Sequence, residues 1–243
     1  MKLEQNPQQL AAVADFYLLL GLMLRLPQED LVSRFSDAAF HEGLIEMIHE
    51  SGFDKDRQKE LRCSFDELKK LAEEGSLSVP DLRYAYTKAF THPVKPSIFI
   101  YESQFLFWDE NPEASYGEAP RTFISPAALD AERCYKKANL TQSADLNEPA
   151  DHMSIELEFM SKLYDHKAKL VEQQDKDDEN PAAEEVRAEI ERTEALIQEY
   201  NYYHFSKWGI RFFEKCKTSN LHPYYQALGA IGSAFMQGML SEK

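Results

Sequence analysis

Residues 148 to 160 read Glu-Pro-Ala-Asp-His-Met-Ser-Ile-Glu-Leu-Glu-Phe-Met, and they gather Glu148, Asp151, His152 and Glu156 around what must be the start of a helix. A carboxylate and an imidazole at this spacing can act as acid and base, can hold each other as a structural pair, or can line a pocket for an anion or a backbone. Pro149 lacks an amide donor and biases Glu148 away from helical dihedrals, so the helix is expected to begin between Pro149 and His152, with Asp151 as its cap. Beyond it, Met153, Ile155, Leu157, Phe159, Met160, Leu163 and Tyr164 form a broad apolar face, with Ser154, Glu158, Ser161, Asp165 and Lys169 opposite.

Glu156 falls inside the apolar face, one turn after His152. A bare carboxylate there costs several kcal/mol, roughly, so it must be paired or hydrogen-bonded. Two readings stay open. One is a helix cap with a buried structural His-Glu pair. The other is a polar pocket at a helix N-terminus, where free N–H groups and the helix dipole suit an anion or a partner's backbone.

Catalytic constellations lack their parts. Glu46-Met47-Ile48-His49 is the lone Glu-x-x-His, whereas a di-iron bundle needs two such pairs and two further carboxylates. No His-Glu-x-x-His, Gly-x-Ser-x-Gly or Walker-type loop occurs. Asp151, His152 and Glu156 have no accompanying nucleophile or metal set at recognisable spacing, so the residues leave an enzyme open without supporting one, and no cofactor or metal site is expected. Cys63, Cys134 and Cys216 are odd in number and far apart, which points to a reducing compartment without a disulfide framework.

The elements that must position these residues are helices. Nine glycines in 243 residues are few, and apolar residues recur at helical spacing rather than alternating, so the expected class is all-α. Leu10 to Leu24 mark a first helix ended by Pro27; its run from Phe16 to Leu26 is too short and too charged at its flanks for a membrane anchor. Leu31–Gly52 and Asp56–Gly75 read as the next helices, and Pro80 opens another through Tyr84, Tyr86 and Phe90. After a proline-punctuated loop at 92–97 comes the aromatic stretch Ile98 to Trp108. Pro126–Leu140 is helical again, a polar connection follows at Thr141–Glu148, and a dense charge run at Gln173–Asn180 interrupts the last third before a helix resumes after Pro181. Gly229, Gly232 and Gly238 in the final helix are read as sites of close helix packing. The formal charge of −15 argues against nucleic acid and anionic membranes and for a basic partner, and without an export or membrane segment the expected location is the cytoplasm.

Taken together, Glu148-Pro149-x-Asp151-His152 with Glu156-Leu157-x-Phe159-Met160 resembles the signature of the TorD/DmsD family of redox-enzyme maturation chaperones, including its NarJ-like branch. Tyr86-x-x-x-Phe90, Pro93, Pro96 and Glu102-Ser103 are similar to further family segments. The resemblance implies one compact helical chaperone domain over residues 1–243. It also implies a hinge near 141–152 between a larger N-terminal and a smaller C-terminal part, and a charged insertion near 172–194. It implies binding of an apo molybdopterin-dependent oxidoreductase through its twin-arginine signal peptide, with no turnover. Its recognition surface would comprise Asp151, His152, Pro149, Glu148, Glu156, Glu102, Ser103, Tyr86, Phe90, Tyr101 and Trp108. Phe99, Tyr101, Phe105 and Trp108 would offer apolar and cation-π surface to a leader carrying arginines. A homodimer formed by segment exchange is compatible with such a hinge. The alternatives are an accessory subunit or chaperone of a cytoplasmic oxidoreductase without an export signal, and an all-helical enzyme using His152.

Overall fold

The computed structural model describes residues 6–93, 95–115, 117–142, 147–176 and 183–240. Among these the chain is all-α, as expected: the sole β-type pairing is an isolated antiparallel bridge between Tyr101 and His152. The helices are α1 (Pro7–Met23), α2 (Glu29–Arg34), α3 (Ala38–Glu50), α4 (Lys55–Glu73), α5 (Val79–Tyr86), α6 (Glu102–Glu110), α7 (Pro126–Lys137), α8 (Met153–Lys176), α9 (Ala183–Tyr200), α10 (Ser206–Thr218) and α11 (Pro223–Leu240). Single π turns extend α5 over Thr87–Thr91 and join α9 to α10 over Asn201–Phe205.

Local chemistry sets most boundaries. Asn6 accepts the Gln8 N–H at 2.9 Å while Pro7 occupies the first helical position of α1. Gly52 and Gly75 follow α3 and α4 with φ of 74° and 73°, the left-handed conformation that ends a helix without a Cβ penalty. The single helix expected over Leu31–Gly52 is two helices. The chain breaks at Ser36-Asp37 because Asp37 turns its carboxylate onto the Ala39 N–H at 2.9 Å and starts α3 afresh.

α8 is the central element, and α1 lies along it. The approach is close at Gly21, where a Cβ would sit 3.1 Å from the Ser154 carbonyl oxygen. This contact corrects the expected polar face of α8: Ser154 and Ser161 are buried, since α1 covers the side on which they stand. Tyr17 stacks on Tyr164 at 5.5 Å and meets Phe235 edge-on at 4.7 Å, tying α1 to both α8 and α11. The expected close packing of the last helix is present: a Cβ on Gly229 would overlap backbone atoms of Cys216 and Lys217 in α10, and one on Gly232 would overlap the Phe213 ring.

The apolar run of α1 belongs to this core, with Phe16, Tyr17 and Leu20 fully buried. No helix among the described residues is long and apolar enough to cross a membrane. The connection expected to act as a hinge includes 143–146, and the charged insertion includes 177–182; both stretches lie outside the described residues. On either side of 177–182, α8 and α9 pack together, with Lys167 paired to Glu194.

Candidate functional site

The start of α8 is built jointly with the start of α6. Met153 N–H donates to the Ile100 carbonyl at 3.0 Å, and Glu102 N–H donates to the Asp151 carbonyl at 2.9 Å. The Asp151 side chain caps α6 rather than its own helix, its Oδ2 accepting the Ser103 N–H at 3.1 Å. The cap of α8 is His152, whose Nδ1 accepts the Ser154 N–H at 3.1 Å and lies 2.8 Å from the Ser154 hydroxyl. The Ile155 and Glu156 N–H groups close onto the His152 carbonyl. The pocket of free N–H donors considered from the sequence is therefore not formed: each helix end satisfies the other.

His152 is buried, its ring edge-on to Tyr101 at 5.3 Å. Burial, with Arg25 nearby, pushes its pKa down to about 3, so the imidazole is neutral with Nδ1 as acceptor. Glu156 is fully buried and accepts from Trp208 Nε1 at 3.3 Å through Oε2, while its Oε1 has no hydrogen-bond partner. Burial, then the negative charges of Glu102 and Asp151, raise its pKa well above the carboxylate range and so favour its protonated form.

A buried His-Glu pair does exist, between other residues. His204 Nδ1 lies 2.6 Å from Glu102 Oε2, both side chains buried, and the imidazole stacks on Tyr200 at 4.2 Å. Sequence reasoning missed His204. Its sole signal is a histidine among the aromatic residues of a helical stripe, and its partner is 102 positions away.

Of the residues expected to meet a client, Asp151, His152, Pro149, Glu156, Glu102, Ser103, Tyr86 and Phe90 are buried. Glu148, Tyr101 and Trp108 reach the surface in part, and Tyr101 donates its hydroxyl hydrogen bond to Glu148 at 2.8 Å. Of the aromatic surface expected on 99–108, Phe105 is buried while Phe99, Tyr101 and Trp108 stay half-buried, and Phe99, Phe105 and Trp108 line a cavity of about 190 Å³ with Lys95 and Lys215. Phe99 stacks on Trp108 at 5.5 Å beneath Lys95, and Phe105 is buried with Lys215 Nζ 4.8 Å above its ring. A separate cleft of about 220 Å³ opens beside the α7–α8 connection, between Tyr135, Leu140, Ile155 and Phe159, with Thr141, Gln142, Glu158 and Lys162 completing its lining.

The model of a family described as nitrate reductase delta subunit matches residues 54–214, which include α6 to α9 and the whole paired start of α6 and α8. The chain belongs to this family, and the resemblance to TorD/DmsD and NarJ-like proteins is borne out. Two relatives are each named Chaperone protein TorD. That of Vibrio atlanticus (strain LGP32) is 28% identical over 108 residues, 44% of either chain. That of Aliivibrio salmonicida (strain LFI1238) is 31% identical over 137 residues, 55% of this chain and 57% of its own. The chain spans about half the length of these relatives. No solved structure matches significantly.

Proposed function

We propose that the protein is a cytoplasmic maturation chaperone that binds the apo form of a molybdopterin-dependent oxidoreductase through its twin-arginine signal peptide, without turnover of its own. The family match over residues 54–214 carries this reading, and both TorD relatives support it. The net charge of −15 suits a leader rich in arginine.

The contact surface we assign is the edge formed by Glu148 and Tyr101 with the apolar cleft between Tyr135, Leu140, Ile155 and Phe159. Glu148 presents a carboxylate to a guanidinium, and the cleft takes the apolar stretch that follows it. Asp151, His152 and Glu102 stand behind this edge and hold it by joining α6 to α8. A second reading, an accessory subunit of a mature enzyme, is favoured by one observation, the word subunit in the description of the matching family.

The test is capture of partners by the tagged protein from its own host, grown with and without molybdate, with the cofactor content of each partner measured. Recovery of a cofactor-free molybdoenzyme, enriched without molybdate and lost on Glu148→Lys, supports the chaperone. Equal recovery of mature enzyme supports the subunit. Recovery of no molybdopterin enzyme under either condition sinks both.

A further inference from the structure

His204 sits on the π turn between α9 and α10 and is 2% exposed. Its Nδ1 lies 2.6 Å from Glu102 Oε2, so that ring nitrogen is already engaged by a hydrogen bond. Nε2 then faces Asp130 Oδ2 at 3.4 Å, yet makes no hydrogen bond. One turn along α7 from Asp130 stands the buried thiol of Cys134. One ligand atom from each of Asp130, Cys134 and His204 lies within 4.8 Å of the others.

A buried nitrogen lone pair pointed at a carboxylate is unfavourable unless something positive lies between them. A second proton on the imidazole is one solution, but it leaves a poorly aligned contact and gives the thiol no part. A metal ion uses all three groups. Thiolate, imidazole and carboxylate are the donors of borderline-soft divalent cations, whose tetrahedral bonds put ligand atoms about 3.3–3.7 Å apart. Asp130 is the group able to close the difference: its side chain is 37% exposed, and Arg133, which it holds, has Glu199 as a second partner at 3.2 Å. Glu102 stands where a carboxylate orients a ligating histidine from behind.

We propose that Asp130, Cys134 and His204 form a site for Zn²⁺ or a similar borderline-soft divalent cation, with Glu102 orienting the imidazole and the fourth position open on the Asp130 side.

The test is a Co²⁺ titration of the full-length chain without an affinity tag, followed by Zn²⁺ displacement. The expected result is one ion per chain, with a thiolate-to-cobalt charge-transfer band and the intense visible bands of four-coordinate cobalt, both removed by Zn²⁺. The bands are unchanged in Cys63→Ser, which removes the exposed thiol, and absent in Cys134→Ser. In Asp130→Asn, a partly exposed position whose change leaves the core intact, affinity falls at least about tenfold. Circular dichroism of each variant establishes that it is folded. Absence of the thiolate band in the wild type overturns the proposal, as does its survival in Cys134→Ser or its loss in Cys63→Ser. If Cys134→Ser does not fold, Asp130→Asn decides: unchanged cobalt affinity overturns the site.

Discussion

Asp151 Oδ2 accepts the Ser103 backbone N–H at 3.1 Å, while the Asp151 carbonyl accepts the Glu102 N–H at 2.9 Å, so one residue preceding α8 holds the first turn of α6 twice. Replacing the side chain removes a buried cap. Asp151→Ala is expected to lower stability by about 1–3 kcal/mol in urea unfolding. Asp151→Asn, which keeps an acceptor oxygen, should cost less than half of that. Equal losses for the two variants would mean that the Ser103 contact is not what Asp151 contributes. The same result bears on function, since weak client binding by an Asp151→Ala/His152→Ala double variant reports on the joint of the two helices as much as on recognition.

Glu156 titrates in the opposite sense to an ordinary ion-paired carboxylate. Glu102 and Asp151 face it with negative charge, His204 lies close by, Trp208 gives it one hydrogen bond, and Tyr135 and Tyr200 carry its influence in their raised pKa values. The folded state binds this proton more tightly than the unfolded chain, which releases it above about 4.5. Stability from this group is complete below that pH and declines as pH rises toward the folded pKa, by about 1.4 kcal/mol per unit. Glu156→Gln is neutral at every pH, so it is expected to exceed the wild type in stability at pH 8 and to converge with it near pH 4. Parallel stability curves for the two proteins would refute a protonated Glu156.

His152 acts at the acid end. Its pKa is about 3 in the fold against 6.5 when unfolded, so between those values the unfolded chain binds the extra proton. Its contribution is intact above pH 6.5 and lost as pH falls toward 3, by up to about 1.4 kcal/mol per unit. The imidazole resonances of His152 should show no titration between pH 5 and 8. A His152 midpoint inside it would contradict the neutral, Nδ1-accepting cap.

What the sequence made legible was what neighbours along the chain decide. The start of α8 after Pro149, the core-facing Glu156 that needed a partner, and the tight packing at Gly229 and Gly232 all follow from local residue type and helical spacing. What it hid were partners chosen by the fold. Asp151 is a sound N-cap for the helix it precedes, yet Ser103, 48 residues away, takes its carboxylate because the two segments run antiparallel at Tyr101 and His152. Glu102 reads as an ordinary first-turn acid until His204 arrives from the other end of the chain. The aromatic stretch reads as open surface because nothing local says that Lys95 and Lys215 will lie over Trp108 and Phe105.

The glycines of α11 give the last prediction, because the space around them differs sharply from that at another helical glycine. At Gly229 an added Cβ would overlap the backbone of Cys216 and Lys217, which cannot yield without separating α10 from α11. Gly43, inside α3, has nothing within 4 Å of the same position. Gly229→Ala is therefore expected to destabilise by at least about 1–3 kcal/mol through overpacking. Gly43→Ala should stabilise by about 0.5–1 kcal/mol, since alanine loses less backbone entropy in a helix. Thermal unfolding of the two variants side by side checks the pair. A mild effect at Gly229 would show that α10 and α11 are free to slide apart, and the close contact between them would then not be what anchors the C-terminal helix pair.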